Sequence, residues 1–321
     1  MHMGTLTTRC HYNPCFWTAH WNSAFHTASL LDPTPPGLSA REQMVYALNV
    51  KSGKLLHRKV EDVHFDKRPP VEITREAAEA FCLKYHPDKY DEFKAREADY
   101  PVYIEPEQLF TIMESLPPYP ALIDVIRQGR IASAEEKCWL ASFVALHFLR
   151  CHAIMSSILE WHSTLGIQPF ESYVTLKWEL SDPDRLAQRI VPVLFQRWIL
   201  YSLNEDTFPL TDSPILICPA AILVALSPRM LLEIQTNVRG KDDECHVRRS
   251  ISHSRLAYFR RRTIGNTFRE IIFGDKALLE RWAATKEFQD RHRLMKDTKK
   301  YNQLVQEASR ELYQLNALGW R

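Results

Sequence analysis

Glycine is scarce in this chain of 321 residues: there are 9, against 19 prolines. Phosphate-cradling loops need glycine where backbone approaches ligand, and neither GxGxxG nor GxxxxGK[ST] occurs, which excludes the nucleotide enzymes that depend on those loops. No run of about 18 apolar residues is present, so no membrane-spanning helix is expected. The first fifteen residues, Met1 to Cys15, lack the basic start and apolar run of a secretory signal. The seven cysteines are odd in number and irregularly spaced, with no Cys-x2-Cys pair, so they are expected to be reduced thiols of a cytoplasmic protein. GxSxG, HExxH and EF-hand patterns are missing as well, which excludes the enzymes that carry them and leaves other enzymes open. There is no internal repeat and no low-complexity tract.

What is present suits a folded protein of one or two domains: 45% hydrophobic, 11% aromatic and 25% charged residues. The net charge of +2 hides an asymmetry. From Arg239 to Arg321 there are 19 Lys and Arg against 11 Asp and Glu, a net of +8, so residues 1–238 carry a net of −6. A basic quarter of this kind is either a surface for nucleic acid or an acidic protein, or a pair of solvated helices.

The spacing of residues yields a coarse plan. Residues 10–25 are aromatic and polar together and fit neither a helix nor a strand cleanly. Residues 32–37, with three prolines, read as a loop. Val45–Leu48 and Leu55–Lys59 flank Asn49 to Lys54, and Gly53 supplies the positive φ of a tight reversal, which predicts a β-hairpin. Helices are predicted over 74–96, broken at Pro87, and over 105–115 and 121–127. Ser133-Ala134-Glu135-Glu136 is a capping box that opens a long helix to about His162, with Trp139, Phe143, Leu146 and Leu149 on one buried face. A further helix should begin at Ser181-Asp182-Pro183 and run to Leu203, bent near Pro192. Ile215–Ile217, Leu231–Ile234 and Phe268–Phe273 read as strands, and 250–262, 276–291 and 298–315 as helices.

The stretch from Thr207 to Glu233 organises the rest: two apolar runs, each punctuated by Ser-Pro, one carrying Asp212 and the other Arg229. Around it the motifs fall in a fixed order: His11-Tyr12-x-Pro14-x-Phe16, Phe148-Leu149-Arg150, Gln196-Arg197-Trp198, Thr211-Asp212-x-Pro214 and Leu226-Ser227-Pro228-Arg229. That order, from about Arg9 to Phe273, resembles the bacterial family catalogued as domain of unknown function four-two-three-eight. Two positions depart from its pattern. Thr211 stands where serine is usual, and Ser250-Ile251-Ser252-His253 occupies the region where the family's next helix usually carries an asparagine. The resemblance implies a fold and boundaries but no established activity.

Each candidate for chemistry has a plainer reading beside it. Asp212, His11 and Arg150 would make a hydrolytic, nuclease-like site if they converged, with Asp212 as base or orienting carboxylate, His11 as acid or base, and Arg150 on a phosphate. Alternatively, Asp212 holds the turn before Pro214, the more common task of Asp before Ser-Pro, while Arg150 satisfies carbonyls at the core boundary and His11 is a buried ring. Cys10, Cys15, His20 and His26 carry zinc-ligand chemistry but lack a knuckle spacing, so no metal is assigned. His147 and Cys151, four apart on the long helix, could pair as nucleophile and base, although so apolar a helix favours burial. His253 to Arg262, with Tyr258, Arg260, Arg261 and Arg262, fits phosphate contact and base stacking, or an amphipathic helix with Ile251, Leu256 and Phe259 inward.

The composite expectation is an α+β fold, with a small mixed sheet packed on a mainly helical middle. Residues 1–274 would form one domain, and residues 275–321 a basic helical extension lying against it. Its function would be interaction or nucleic-acid binding through the basic C-terminal face, using Tyr12, Arg229, Arg260, Arg261 and Arg262. The alternative is the hydrolase site at His11, Arg150 and Asp212. No cofactor is identified, and the partner would be nucleic acid or an acidic protein surface.

Overall fold

The computed structural model describes residues 8–32, 39–68, 70–96, 98–104, 107, 110–111, 114–168, 170–172, 174, 183–240, 245–304 and 307. The predicted loop at 32–37, apart from Asp32, lies outside these residues, as do Ser181 and Asp182 and the end of the helix predicted over 298–315.

The fold is α+β. It opens with β1 (Thr8–His11), α1 (Cys15–Thr18) and α2 (Ser23–Leu31). The hairpin follows as β2 (Met44–Asn49) and β3 (Leu55–Lys59), then β4 (Phe65–Arg68) and β5 (Val71–Ile73). Gly53 sits at φ 70° in the hairpin turn, as the reversal requires. The helical middle comprises α3 (Arg75–Tyr85), α4 (Tyr90–Ala95), a short β6 (Val102–Ile104), α5 (Pro118–Gln128), α6 (Ala134–Arg150), α7 (His152–Thr164) and α8 (Pro183–Leu194). Residues 107, 110, 111 and 114 are helical too. The strand-rich part runs through β7 (Gln196–Ser202), β8 (Leu210–Thr211), β9 (Ile215–Cys218), β10 (Ala221–Ser227), β11 (Met230–Arg239) and β12 (Cys245–Arg248). The chain continues with α9 (His253–Asn266), β13 (Glu270–Phe273), α10 (Lys276–Ala283), α11 (Lys286–Lys296) and helical residues at 298–304.

The strands divide between two main sheets rather than forming one. The hairpin joins β13 and β8 in the order β3-β2-β13-β8, all antiparallel. The five-stranded sheet has the order β12-β7-β11-β10-β9, with β12 parallel to β7 and the rest antiparallel. The chain steps from one sheet to the other across Asp212-Ser213-Pro214, between β8 and β9. Proline cannot donate to a ladder and suits such a corner.

Three expected elements differ. The long helix from Ser133 is two helices, because Cys151 turns to an extended ψ of 139° and its carbonyl then accepts from Met155 N–H to start α7. No glycine or proline marks that break, so periodicity alone runs through it. The single buried face predicted for α6 is also too narrow: every residue from Leu140 to Arg150 is buried, which makes α6 a central helix packed on α5 and α8. The helix expected to reach Leu203 stops at Leu194, just past Pro192, and Gln196–Ser202 is a strand. Trp198 to Ser202 are all buried between β11 and β12, where sheet pairing overrides a helical reading. The helix expected over 276–291 is split at Thr285, whose hydroxyl caps α11 by accepting from Phe288 N–H at 3.3 Å.

The N-terminal aromatics belong to the core. Trp17 and Trp21 are fully buried, and their indole N–H groups donate to the carbonyls of Leu226 and Phe208, both at 2.8 Å. Gly274 allows this packing, since a Cβ there would collide with the Trp21 carbonyl oxygen. Leu279, Trp282, Phe288 and Met295 of the C-terminal helices join the same core. Among the described residues no helix is long and apolar enough to cross a membrane.

Candidate functional site

Polar groups collect at the centre of the molecule, where the N-terminal segment, α6 and the sheet corner meet. Asn13 is the hub. Its Nδ2 donates to the Thr211 carbonyl and to Nδ1 of His64, each at 2.8 Å, and its Oδ1 accepts from Nε2 of His147 at 2.8 Å. His64 completes its ring by donating Nε2–H to the Glu270 carbonyl at 3.2 Å. His147 accepts at Nδ1 from the Tyr119 hydroxyl at 3.4 Å. Burial, with Arg150 and His64 nearby, holds the His147 pKa well below its usual value, so the ring is neutral, as this hydrogen-bond pattern requires.

Arg150 and His11 do meet, but through backbone. Arg150 is fully buried at the end of α6, and its Nε donates to the His11 carbonyl at 2.9 Å. Its Nη2 lies 2.6 Å from the Glu114 carboxylate, and the guanidinium covers the Phe110 ring at 4.4 Å. The His11 ring faces the other way. Nδ1 lies 3.1 Å from Glu107 and Nε2 lies 3.1 Å from the Glu61 carbonyl, so both nitrogens donate. Burial opposes the charged ring, but the neighbouring Cys15 and the Glu107 carboxylate raise its pKa to about 10. His11 is therefore an imidazolium locked in an ion pair. Tyr12 is buried and donates to Asp66, which also accepts from Arg269.

Asp212 does not join His11 and Arg150. Its carboxylate, with no exposed surface, accepts from the backbone N–H groups of Phe268, Arg269 and Glu270 at 3.2–3.3 Å. It clamps the start of β13 to the β8–β9 corner. The turn reading expected Asp212 to bond its own loop; Thr211 does that instead, its hydroxyl accepting from Ser213 N–H at 3.3 Å. Burial raises the Asp212 pKa to about 6, against the pull of the three amides and Arg269.

The remaining chemical candidates are dispersed. Cys10 lies on β1, and His20 and His26 have ring nitrogens 3.4 Å apart in the core. Among the described residues no three His, Cys, Asp or Glu side chains are grouped to hold a metal ion. Cys151 is buried, and its thiol donates to the His147 carbonyl at 3.5 Å rather than to the His147 ring. Burial pushes that thiol up to about 12. All seven cysteines are free thiols.

The arginines of α9 fan out. The helix is capped by Ser252, buries Phe259, Thr263 and Ile264, and is tied to β11 by Arg255, whose Nε and Nη2 reach Glu233 at 2.8 and 2.5 Å. Arg260 turns to Glu287 on α11 at 3.4 Å. Arg262 donates Nη2–H to the Ile217 carbonyl at 2.8 Å, leaving its buried Nε without a hydrogen-bond partner among the described residues. Arg261 is exposed and makes no hydrogen bond or ion pair among the described residues; its charge is felt by Glu287. Arg229 is not part of this group: it pairs with Asp206 at 2.7 Å beside the β10–β11 turn.

Arg261 and Arg262 line a cavity of about 160 Å³ with Gly265, Asn266, Phe268, Arg291, Leu304 and Glu307. Nothing in the sequence singles out Arg291, which lies 29 positions beyond Arg262 on another helix. It is buried, donates Nε–H and Nη2–H to the Thr267 carbonyl at 3.1 and 3.0 Å, and stacks on Phe268 at 5.0 Å. Burial lowers its pKa to about 10, opposed by Asp212 and Tyr301, so it stays a cation near neutrality. Three arginines thus line one cavity, with Arg262 held by the Ile217 carbonyl and Arg291 by the Thr267 carbonyl. A larger cavity of about 400 Å³, lined by Ser23, Tyr46, Asp206, Gly274, Asp275 and Lys276, has no such concentration of one sign.

Fold and site together define an α+β protein with a hydrogen-bonded polar centre around Asn13, in which Arg150 Nη1 and Ser213 Oγ have no hydrogen-bond partner among the described residues, and with an arginine-lined cavity at its C-terminal side. Compared with known proteins, the chain matches no family model, no curated protein and no solved structure.

Proposed function

We propose that this chain is a cytoplasmic binding protein that takes nucleic acid on the basic face formed by α9, α11 and the helical residues that follow. The observation that carries this reading is that Arg261, Arg262 and Arg291 line one cavity in which Glu307 is the one carboxylate among the described residues. Phosphate backbones are recognised by such arginines, and the surrounding positive field draws them in. The net of +8 over residues 239–321 supports the same reading. An acidic protein segment is the other anion such a face would accept. The hydrolase reading loses its support, since the Asp212 carboxylate is spent on backbone amides and the His11 ring on Glu107. The family resemblance remains our reading as well. It is supported by the fact that His11, Tyr12, Arg150 and Asp212, which carry it, each hold a buried or half-buried partner at the junction of the layers.

The test is fluorescence anisotropy with labelled single-stranded RNA and DNA at rising salt. Binding should weaken log-linearly with salt, and Arg260→Ala/Arg261→Ala should lower the slope by about 0.7 for each phosphate no longer neutralised. Absence of binding at low salt would overturn the proposal.

A further inference from the structure

Two histidines are buried against each other where α2 packs on the body. His20 lies in the single helical turn Ala19–Trp21 that precedes α2, and His26 lies within α2; they are 3% and 4% exposed. Their Nδ1 atoms are 3.4 Å apart. Between two ring nitrogens there is room for one hydrogen, so one ring donates and the other accepts through its lone pair. Ser29 stands against the same nitrogen: its hydroxyl lies 3.3 Å from His20 Nδ1 and donates to the His26 carbonyl at 3.0 Å. Two neutral rings fit this arrangement. Full protonation sets N–H against N–H, and a single added charge is buried with no carboxylate bonded to it among the described residues. The surrounding charges do not invite a proton. Arg127 of α5 faces His20; it donates Nε–H to the Ser29 carbonyl at 3.4 Å, and its Nη1 pairs with Asp124 at 3.1 Å. Arg229 and Asp206 face His26 and pair with each other at 2.7 Å. Residues 33–38, which follow Asp32, contain no titratable side chain. Burial lowers the His20 pKa to about 3, helped by His26 and Arg127, and burial with Arg229 lowers that of His26. The hold on α2 depends on these side chains. The helix is nine residues long and buries Phe25, His26 and Ser29, two of which belong to the histidine contact.

We infer that the His20–His26 contact is an acid-released latch: with both rings neutral it holds α2 on α5, and protonation lets α2 come away. A ring whose folded pKa is lowered stabilises docking fully above its unfolded value of 6.5, and that contribution is lost as pH falls from 6.5 through about 3. One such ring favours the open form about thirtyfold more at pH 5 than at pH 7.5, and the second ring adds to this. Asp212 has the opposite sign, its raised pKa favouring the acid side. His147 is also held neutral, but at the centre of the molecule, where global unfolding is needed to free it. The signature of the latch is therefore local to α2.

Hydrogen exchange read by mass spectrometry on the full chain, corrected at each pH for the intrinsic amide rate, tests this between about pH 7.5 and about pH 5. Peptides covering Ser23–Leu31 should lose protection about thirtyfold or more, while those covering α6 keep theirs. In the double variant His20→Asn/His26→Asn, whose side-chain amides reach the Nδ1 positions and cannot titrate, that acid loss should vanish. Nitrogen NMR of the histidine rings in the wild type, assigned with the two single variants, decides the matter if the double variant is already loose in α2 at neutral pH. Both rings should stay neutral until the protection of α2 falls. Protection of Ser23–Leu31 that is flat across this range overturns the latch. So does an acid loss that the double variant retains, and so do rings that become charged near pH 6.5 while α2 is still protected.

Discussion

Asn13 and Arg261 show the two ways this chain uses polar side chains. At Asn13, hydrogen bonds run to His64, His147 and Thr211, all inside the protein. At Arg261 no hydrogen bond or ion pair is made among the described residues, and the residue is exposed beside a cavity that Arg262 and Arg291 also line. The first arrangement is what buried polar groups need, because an unsatisfied donor or acceptor in the core costs about 1–3 kcal/mol. The second leaves the Arg261 head group exposed, with its charge felt by Glu287 but no direct partner among the described residues. The difference shows where to look: the residues densest in chemistry, at the centre, are hydrogen-bonded within the fold, and the plainer arginines are the ones our proposal assigns to binding.

Substitutions should separate the two regions, most strongly at Arg150. Arg150→Met leaves the Glu114 carboxylate and the His11 carbonyl without their cation, and breaking a buried pair from one side costs about 3–5 kcal/mol. Urea unfolding would show that loss; a variant as stable as the wild type would mean that Arg150 does not pin the centre.

Next comes the pH dependence of stability. Asp212 has its folded pKa raised from 3.8 to about 6, so its contribution is fully present below pH 3.8 and is lost as pH rises through 6. A difference of about 2 in pKa corresponds to roughly 3 kcal/mol. His11, raised from 6.5 to about 10, contributes fully below pH 6.5 and loses that contribution as pH rises through 10. Denaturation at a series of pH values should therefore show both groups favouring the acid side. Asp212→Asn should flatten the lower window and Glu107→Gln the upper one. A wild type whose stability rises steadily from pH 5 to 9 would contradict both assignments.

The smallest effects belong to the cationic side. Gly265→Ala should stabilise by about 0.5–1 kcal/mol, since Gly265 lies within α9 with open space at its Cβ. Thermal melting would detect the rise. Arg261→Ala should change stability by less than about 0.5 kcal/mol while weakening anion binding, the reverse of Arg150→Met.

Much of the framework is legible in the sequence. Gly53 marks the hairpin, Ser133 the start of α6, and Thr74 the start of α3, each through local chemistry that needs no distant partner. Sequence reasoning fails where distant partners decide. Gln196–Ser202 is a strand because β11 and β12 flank it, and Cys151 interrupts a helix without any breaker residue. The site is half legible for the same reason. His11, Arg150 and Asp212 stand out as unusual polar residues among apolar runs. Their partners, Glu107, Glu114 and the amides of 268–270, lie 96, 36 and 56–58 positions away. Spacing carries no trace of such pairings. Arg291 escapes notice because nothing near it in sequence links it to Arg261 and Arg262.

The most direct measurement sets Asp212→Asn beside Arg261→Ala in one RNA-binding assay at neutral pH, each variant first shown to retain native circular dichroism. Asparagine still presents an acceptor oxygen to the amides of residues 268–270, so the corner can persist without the charge. If the centre serves the fold and the cavity serves binding, Asp212→Asn binds RNA like the wild type and Arg261→Ala binds it weakly, with no strand cleavage in any sample. Cleavage by the wild type that disappears in Asp212→Asn and survives in Arg261→Ala would contradict that division and return Asp212 to the chemistry.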